Sequence, residues 1–391
     1  MINFNKHIKI GVVGAGAMGS GIAQVAATFG HEVFIYDNSE QALIKSKENL
    51  NSTLKLLAEK GKISFEEAEQ ISRKLIFTNN LNDFTKCGLV IEAIIEDLDA
   101  KKRLFSQLDE IVNDKCFLAT NTSSLSVMSV ASGSRHPNRV IGLHFFNPAP
   151  IMKLVEIIPA LTTNPQVTEL CLNLVKEWGK IPVIAKDTPG FIVNKVARPY
   201  YGESLRIYEE GIADFVTIDY AMKEIGKFKM GPFELMDLIG NDVNYKVTET
   251  VFKEFYYDQR YKPSITQKRY VEAGWYGRKT TRGFYDYSNN NEQLLTPNKD
   301  PELLQDIFNR IIAMLINEAA DTLFFGIATK DDIELAVKFG VNYPKGLFEW
   351  ANEIGIDKIV KTLQSLYEKY NEDRYRICPL LKNMAAINKK F

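Results

Sequence analysis

From residue 8 to about 186 short apolar runs alternate with stretches of helical periodicity. Ile8-Lys-Ile-Gly-Val-Val reads as a buried strand, and Ser20 to Ala27 as the helix that follows a glycine-rich turn. Glu32–Asp37, Gly88–Ile95 and Cys116–Thr120 read as further strands, with polar or helical stretches between them. Strands alternating with helices in this way predict βαβ units and a mostly parallel sheet. Residues 40–75 are charged and helical in pattern, broken at Gly61-Lys62. They predict a helical hairpin longer than a crossover requires. The runs on either side of Pro148-Ala-Pro150 predict a strand, a rigid bend and a returning strand.

Past Lys186 the pattern changes. Asp187-Thr-Pro-Gly190 is a turn, and from Phe191 almost to the end apolar positions recur with helical period. Ser288-Asn-Asn-Asn-Glu-Gln and Thr296-Pro-Asn-Lys-Asp-Pro301 read as a linker. The expected division is an α/β domain at 1–186 with a hairpin insertion at 40–75, then all-α domains at 187–287 and 302–391. The two all-α parts are related. Sliding 192–242 onto 307–357, an offset of 115 (307 − 192), leaves 15 of 51 positions identical, including Asn194/Asn309, Glu203/Glu318 and Gly240/Gly355. Chance gives about three. An internal duplication follows, whose second copy lacks the Asp-Thr-Pro-Gly turn.

Composition narrows the class without choosing within it. With 391 residues, 45% hydrophobic and 25% charged, the chain has ordinary globular composition. Its net charge of −1 gives no pointer to nucleic acid or to an anionic membrane surface. The N-terminus lacks a long apolar segment, and no stretch reaches the roughly 18–20 apolar residues of a membrane span. Cys87, Cys116, Cys171 and Cys378 lie far apart and form no C-x-x-C pair, so free thiols in a cytoplasmic setting are expected, with no metal.

The chemistry lies in two places. Gly14, Ala15, Gly16, Ala17, Met18 and Gly19 form a G-x-G-x-x-G turn between a strand and a helix, the pattern that seats a dinucleotide pyrophosphate on helix N-terminal amides. Asp37 follows 23 residues after Gly14, at the end of the second strand, where an acid grips the adenosine ribose and repels a 2′-phosphate. NAD is therefore the expected cofactor. Glu96 and Lys101 stand at another strand's carboxyl end, where such ligands collect. The second place is Gly142-Leu-His-Phe-Phe-Asn-Pro148 with Met152-Lys-Leu-Val-Glu156. A lone His in an apolar run is usually a satisfied core residue. Here a bend can bring Glu156 against His144, the usual general acid/base pair. The clustered hydroxyls of Asn121-Thr-Ser-Ser-Leu-Ser126 predict an N-cap and, at the sheet's carboxyl edge, another hydroxyl to donate to a substrate oxygen.

Together with Glu92-Ala-Ile-Ile-Glu96, Asp187-Thr-Pro-Gly-Phe-Ile-Val-Asn194 and Met230-Gly-Pro-Phe-Glu234, these motifs resemble the L-3-hydroxyacyl-CoA dehydrogenase family. The resemblance implies a Rossmann-type dinucleotide-binding domain followed by two related all-α domains, and NAD-dependent oxidation of a 3-hydroxyacyl-CoA in fatty-acid or short-chain acyl-CoA metabolism. It implies that His144 is the base, that Glu156 orients it, and that Ser123 and Asn194 contact the reacting oxygen. Cofactor contacts carried over are Gly14 to Gly19, Asp37, Glu96, Lys101, Ser123, Asn147 and Lys279. Lys60 on the hairpin would meet the CoA. Thr120 stands where the family usually has Ser. The extra helical copy resembles the dehydrogenase part of bifunctional fatty-acid oxidation enzymes. Single-copy relatives pair through the helical domain, so the expected state is a monomer with an internal pseudo-dimer, or a homodimer. A CoA-free hydroxy-acid or sugar-acid dehydrogenase and a non-enzymatic NAD-binding protein are the rival classes.

Overall fold

Eight strands form one sheet in this computed structural model, which describes residues 8–288 and 296–391. They are β1 (Lys9–Val13), β2 (Val33–Tyr36), β3 (Leu75–Thr78), β4 (Cys87–Glu92), β5 (Phe117–Thr120), β6 (Val140–Phe145), β7 (Leu154–Pro159) and β8 (Ile181–Ile184). Their order is β3-β2-β1-β4-β5-β6-β7-β8. The pairs from β3 to β6 are parallel, β7 runs antiparallel to β6, and β8 is parallel to β7. The chain reverses its direction of travel across the sheet at β1, between β2 and β4. Ligands of open α/β sheets bind beyond the strand ends at such a switch point.

The helices around the sheet are α1 (Ala17–Thr28), α2 (Glu40–Glu59), α3 (Phe65–Arg73), α4 (Leu98–Ile111), α5 (Val127–Ala131) and α6 (Pro165–Glu177). Small residues let α1 lie close to the sheet with eight of its positions buried. α2 and α3 are the hairpin at 40–75. Leu43, Leu50, Leu54 and Ala58 make one buried stripe along α2. A capping box between Ser64 and Glu67 starts α3.

Residues 1–188 and 189–391 form two compact units. Both helical copies belong to the second unit, so they share one packed body. The central part of the expected linker, 289–295, lies outside the described residues, as do residues 1–7.

In that unit α7 (Val193–Val196) and α8 (Arg198–Glu209) correspond at the 115-residue offset to a single long helix, α13 (Pro301–Phe324). α9 (Phe215–Glu224), α10 (Pro232–Ile239) and α11 (Asn241–Glu254) correspond to α14 (Lys330–Gly340), α15 (Leu347–Ile354) and α16 (Ile356–Tyr370). α12 (Ile265–Glu272) and α17 (Pro379–Ala386) follow in each copy. Equivalent residues do equivalent work. Asp219 accepts from the Phe233 amide at 2.8 Å and Glu334 from the Phe348 amide at 2.6 Å. Lys223 pairs with Glu234, and Lys338 with Glu349. Gly240 and Gly355 end α10 and α15 at φ 102° and 97°, a backbone that only glycine adopts without strain.

The copies also hold each other reciprocally. Lys195 of the first pairs with Glu318 of the second, and Arg310 of the second with Glu203 of the first at 2.6 Å. Tyr261 donates to Glu318 at 2.5 Å and Tyr375 to Glu203 at 2.7 Å. Residue i meeting j′ while i′ meets j is the signature of an isologous interface, here inside one chain. These charges are buried, so removing one partner of a pair costs about 3–5 kcal/mol. α13 is apolar nearly all round, with Ile307, Ile311, Leu315 and Ala319 among its buried residues, as expected of a central helix.

The four cysteines are free and buried. Among the described residues no helix is long and apolar enough to cross a membrane, and no cluster could hold a metal ion.

Candidate active site

The antiparallel register of β6 and β7 sets His144 directly opposite Glu156. Cross-strand neighbours share a face, which is why residues twelve apart in sequence meet. Nδ1 of His144 lies 2.7 Å from Oε2 of Glu156, and both side chains are buried. A carboxylate at Nδ1 keeps the proton there and leaves Nε2 as the basic nitrogen. The Phe146 ring packs on the imidazole at 4.5 Å between centroids. Asn121, in the turn after β5, accepts from the Phe145 amide at 2.8 Å and so fixes the strand that bears His144.

The three glycines of the turn after β1 face three different demands. A Cβ on Gly14, at φ 105°, would lie 2.6 Å from the Ala93 carbonyl oxygen. One on Gly19 would lie 1.8 Å from the Gly14 carbonyl oxygen, because helix and strand touch there. At Gly16 nothing lies within 4 Å. That open backbone, beside a helix start with no side-chain cap, fits the pyrophosphate of a dinucleotide. Gly16 and Ala17 are exposed and Met18 half-buried at the start of α1. Asp37 stands over the turn, accepting from the Ala15 amide at 2.8 Å and from the Ser39 amide at 2.9 Å.

Glu96 gathers the turn after β5. One of its oxygens accepts from the Thr122 hydroxyl at 2.7 Å, the Ser123 amide at 2.8 Å and the Ser123 hydroxyl at 3.2 Å. Burial pushes its carboxyl up in pKa, but the Lys101 ammonium and these hydrogen bonds bring it below its ordinary value. Lys101 is buried and shared between Glu96 at 3.2 Å and Glu92 at 2.6 Å. Thr120 donates to the second oxygen of Glu92 at 2.7 Å, a bond that a serine hydroxyl could equally make. Asp187 caps α5, accepting from the Val127 and Met128 amides and the Ser126 hydroxyl.

The structure thus brings together His144 with Glu156, Asp37 with the glycine turn, and Glu96 with Lys101 and Ser123. Asn147 is exposed on the bend after β6, and Lys60 is exposed at the end of α2. Asn194 and Lys279 belong to the helical unit. Asn194 is half-buried in α7, and Lys279 pairs with Asp242 at 2.6 Å. Sequence reasoning missed Glu92, Asn121 and the capping role of Asp187. Each lies inside a motif, but its partner is 28, 24 or about 60 residues away.

Comparison with known proteins supplies the family. The family model described as "3-hydroxyacyl-CoA dehydrogenase, NAD binding domain" matches residues 9–188. The one described as "3-hydroxyacyl-CoA dehydrogenase, C-terminal domain" matches twice, at 190–287 and 307–390. A 3-hydroxyadipyl-CoA dehydrogenase of Escherichia coli (strain K12) is 36% identical, over 97% of each chain. A 3-hydroxybutyryl-CoA dehydrogenase of Clostridioides difficile is 40% identical, over 72% of this chain and 100% of its own. The crystal structure of an E. coli 3-hydroxybutyryl-CoA dehydrogenase superposes with a TM-score of 0.91 at 35% identity, covering 97% of this chain and 98% of its own. The chain, a Rossmann-type domain followed by two helical copies, belongs to the 3-hydroxyacyl-CoA dehydrogenase family.

Proposed function

We propose that the protein is an NAD-dependent 3-hydroxyacyl-CoA dehydrogenase that interconverts a 3-hydroxyacyl-CoA and its 3-oxoacyl-CoA. The single observation behind this reading is the buried His144–Glu156 rung at 2.7 Å, in the sheet that also bears the open glycine turn. Gly14 to Gly19, Asp37, Glu96, Lys101, Ser123, Asn147 and Lys279 would hold the cofactor. NAD, when bound, accepts the hydride that leaves C3.

In the oxidative direction Nε2 of His144 takes the proton from the C3 hydroxyl. Glu156 keeps the ring in the tautomer that frees Nε2 and stabilises the imidazolium formed. A base of this kind contributes about 10²–10⁴-fold. Ser123 and Asn194 are assigned as donors to the substrate oxygen while its charge develops. Lys60, on the exposed hairpin, is assigned to the CoA. We further infer that the second helical copy stands in for a partner subunit, the reciprocal pairs of Lys195, Glu203, Arg310 and Glu318 being its contacts.

The test is a steady-state assay of NADH oxidation against acetoacetyl-CoA and longer 3-oxoacyl-CoAs. Glu156→Gln should lower kcat by more than about tenfold with little change in KM. His144→Ala and the double variant should be about equally poor, because the pair acts as one unit. Clean additivity would sink the pairing. Turnover of CoA-free hydroxy acids, with none of the thioesters, would overturn the reading itself. For the cofactor, Asp37→Ala should weaken NAD binding and narrow the gap to NADP. Equal turnover of both by the wild type would refute the role of Asp37.

A further inference from the structure

The bend between β6 and β7 joins the strand of His144 to the strand of Glu156. Within it the amides of Ile151 and Met152 both donate to the Pro148 carbonyl at 2.9 Å. Three further carbonyls of the bend meet one side chain, that of Lys180, which lies between α6 and β8 and is buried. Its Nζ donates to the carbonyls of Ala149 at 2.6 Å, Pro150 at 3.2 Å and Met152 at 2.7 Å. Three acceptors demand three N–H bonds. An ammonium has three and a neutral amine only two.

Lys180 lines a cavity of about 420 Å³ beside this clamp. From α1 the cavity wall presents the neutral Gln24 and Thr28, from the hairpin Lys62, and from the bend Lys153. No carboxylate is among its lining residues. Lys176 and Glu177 at the end of α6 are exposed, and His31 stands edge-on to the far Trp178 ring at 5.8 Å. Burial without a counter-charge pulls the Lys180 ammonium down to about 8.

We propose that Lys180 is a positioning residue for the reaction assigned above, its ammonium clamping the β6–β7 bend and thereby placing Phe146 and Asn147 beside His144. The inference rests on that assignment. The His144–Glu156 rung is held by the strand ladder and does not need the clamp. Loss of the clamp therefore loosens the bend while fold and rung remain. Below about pH 8 the side chain keeps all three donors; above it one is lost.

Lys180→Met and Lys180→Arg test this, read by amide hydrogen exchange of residues 146–153 and by kinetics between about pH 6.5 and 9.5. In Lys180→Met, exchange should rise in the bend and stay unchanged in β6 and β7, while kcat/KM falls by about tenfold or more at neutral pH. The wild type should lose activity as pH rises through about 8, and this limb should be absent from Lys180→Met. Lys180→Arg, charged throughout, should recover part of the rate and hold it to high pH. Unchanged exchange in Lys180→Met, or a loosened bend with wild-type kinetics and pH profile, overturns the proposal. If Lys180→Met does not fold, the pH dependence of wild-type exchange in the bend, against that of Lys180→Arg, decides instead. A wild type inert toward every 3-oxoacyl-CoA is a failure of the assigned reaction, and the exchange data then report on the clamp separately.

Discussion

The two helical copies share a backbone plan and diverge in what surrounds it. The first is reached through a tight turn, with Gly190 at φ 76° and Phe191 at φ 50°, and its opening helix is broken at Ala197 into α7 and α8, with Pro199 in the first turn of α8. The second opens on α13, 24 residues without a break. Asn194 thus sits on a four-residue helical turn, while its counterpart Asn309 lies inside α13 and accepts from the Gln305 side chain at 2.9 Å. At the end of α10 Asp237 collects the amides of Phe284 and Tyr285. The equivalent Asn352 binds the last residue, Phe391, whose ring takes against Phe348 the place that Phe284 has against Phe233. What both copies keep is what packing needs: the buried acids Glu203 and Glu318 and a cation opposite each. What only the first has is the Asp-Thr-Pro-Gly turn before it. Duplication preserved an interface and left the second copy's loops free to change.

The largest effect should come from removing the second copy altogether. Truncation after Asn289 strips Arg310 and Tyr375 from Glu203 and uncovers the face of α8 that α13 covers. Light scattering should then show a new dimer or aggregation. An unchanged, soluble state would mean that the copies do not depend on each other.

The next comparison is Asn194→Ala against Asn309→Ala. Loss of a donor to a developing oxyanion costs about 10²–10³ in kcat, whereas Asn309→Ala should stay within about twofold of wild type. Equal losses would contradict a single active site.

Smaller, and sharper as a test of symmetry, are Lys195→Met and Arg310→Met. Each takes the nearest cation from a buried acid and leaves a more distant one, Arg260 at 3.6 Å from Glu318 and Arg374 acting on Glu203, so each should cost up to about 3–5 kcal/mol in denaturant unfolding. A large loss in one and none in the other would show that the reciprocity is only geometric.

The mildest probe is pH. Burial raises the Glu203 carboxyl, but Arg310 and Arg374 outweigh it and hold the group below its ordinary value of 4.5. A folded pKa below the unfolded one contributes stability that is complete above about 4.5 and is lost as pH falls through the folded pKa. The Tm should therefore drop on acidification below that point, and Glu203→Gln should flatten this part of the curve while lowering the Tm at neutral pH.

Much of the site was legible because its signals are local. The glycine turn is six residues long, and its three glycines answer to contacts within one strand-turn-helix unit. The pairing of His144 with Glu156 was legible as a possibility, because a strand, a bend and a return strand can bring residues twelve apart into contact; the register of β6 on β7 decided it. Lys180 and Lys195 were not legible. Each adjoins an apolar run, where a lysine reads as a surface position at the run's edge, and nothing local shows that three carbonyls or a buried glutamate await its ammonium. The sequence marks Lys101 only as a strand-end cofactor contact, and its burial between Glu92 and Glu96 depends on β4 and α4 meeting in space.

By itself, then, the sequence determined the strand-helix alternation, the dinucleotide turn, the candidate base and its acid, and the existence of two related helical copies. Each of these is written in periodicity, in glycine sterics or in repeated identity, all of which survive in one dimension. Tertiary structure decided which charges are buried and with whom: Glu92 with Lys101, Lys180 with the bend, and the crossed pairs of Lys195 with Glu318 and Arg310 with Glu203. The physical reason is that a buried charge is stable only against a partner, and that partner is chosen by packing between elements, which in the crossed pairs lie more than 100 residues apart.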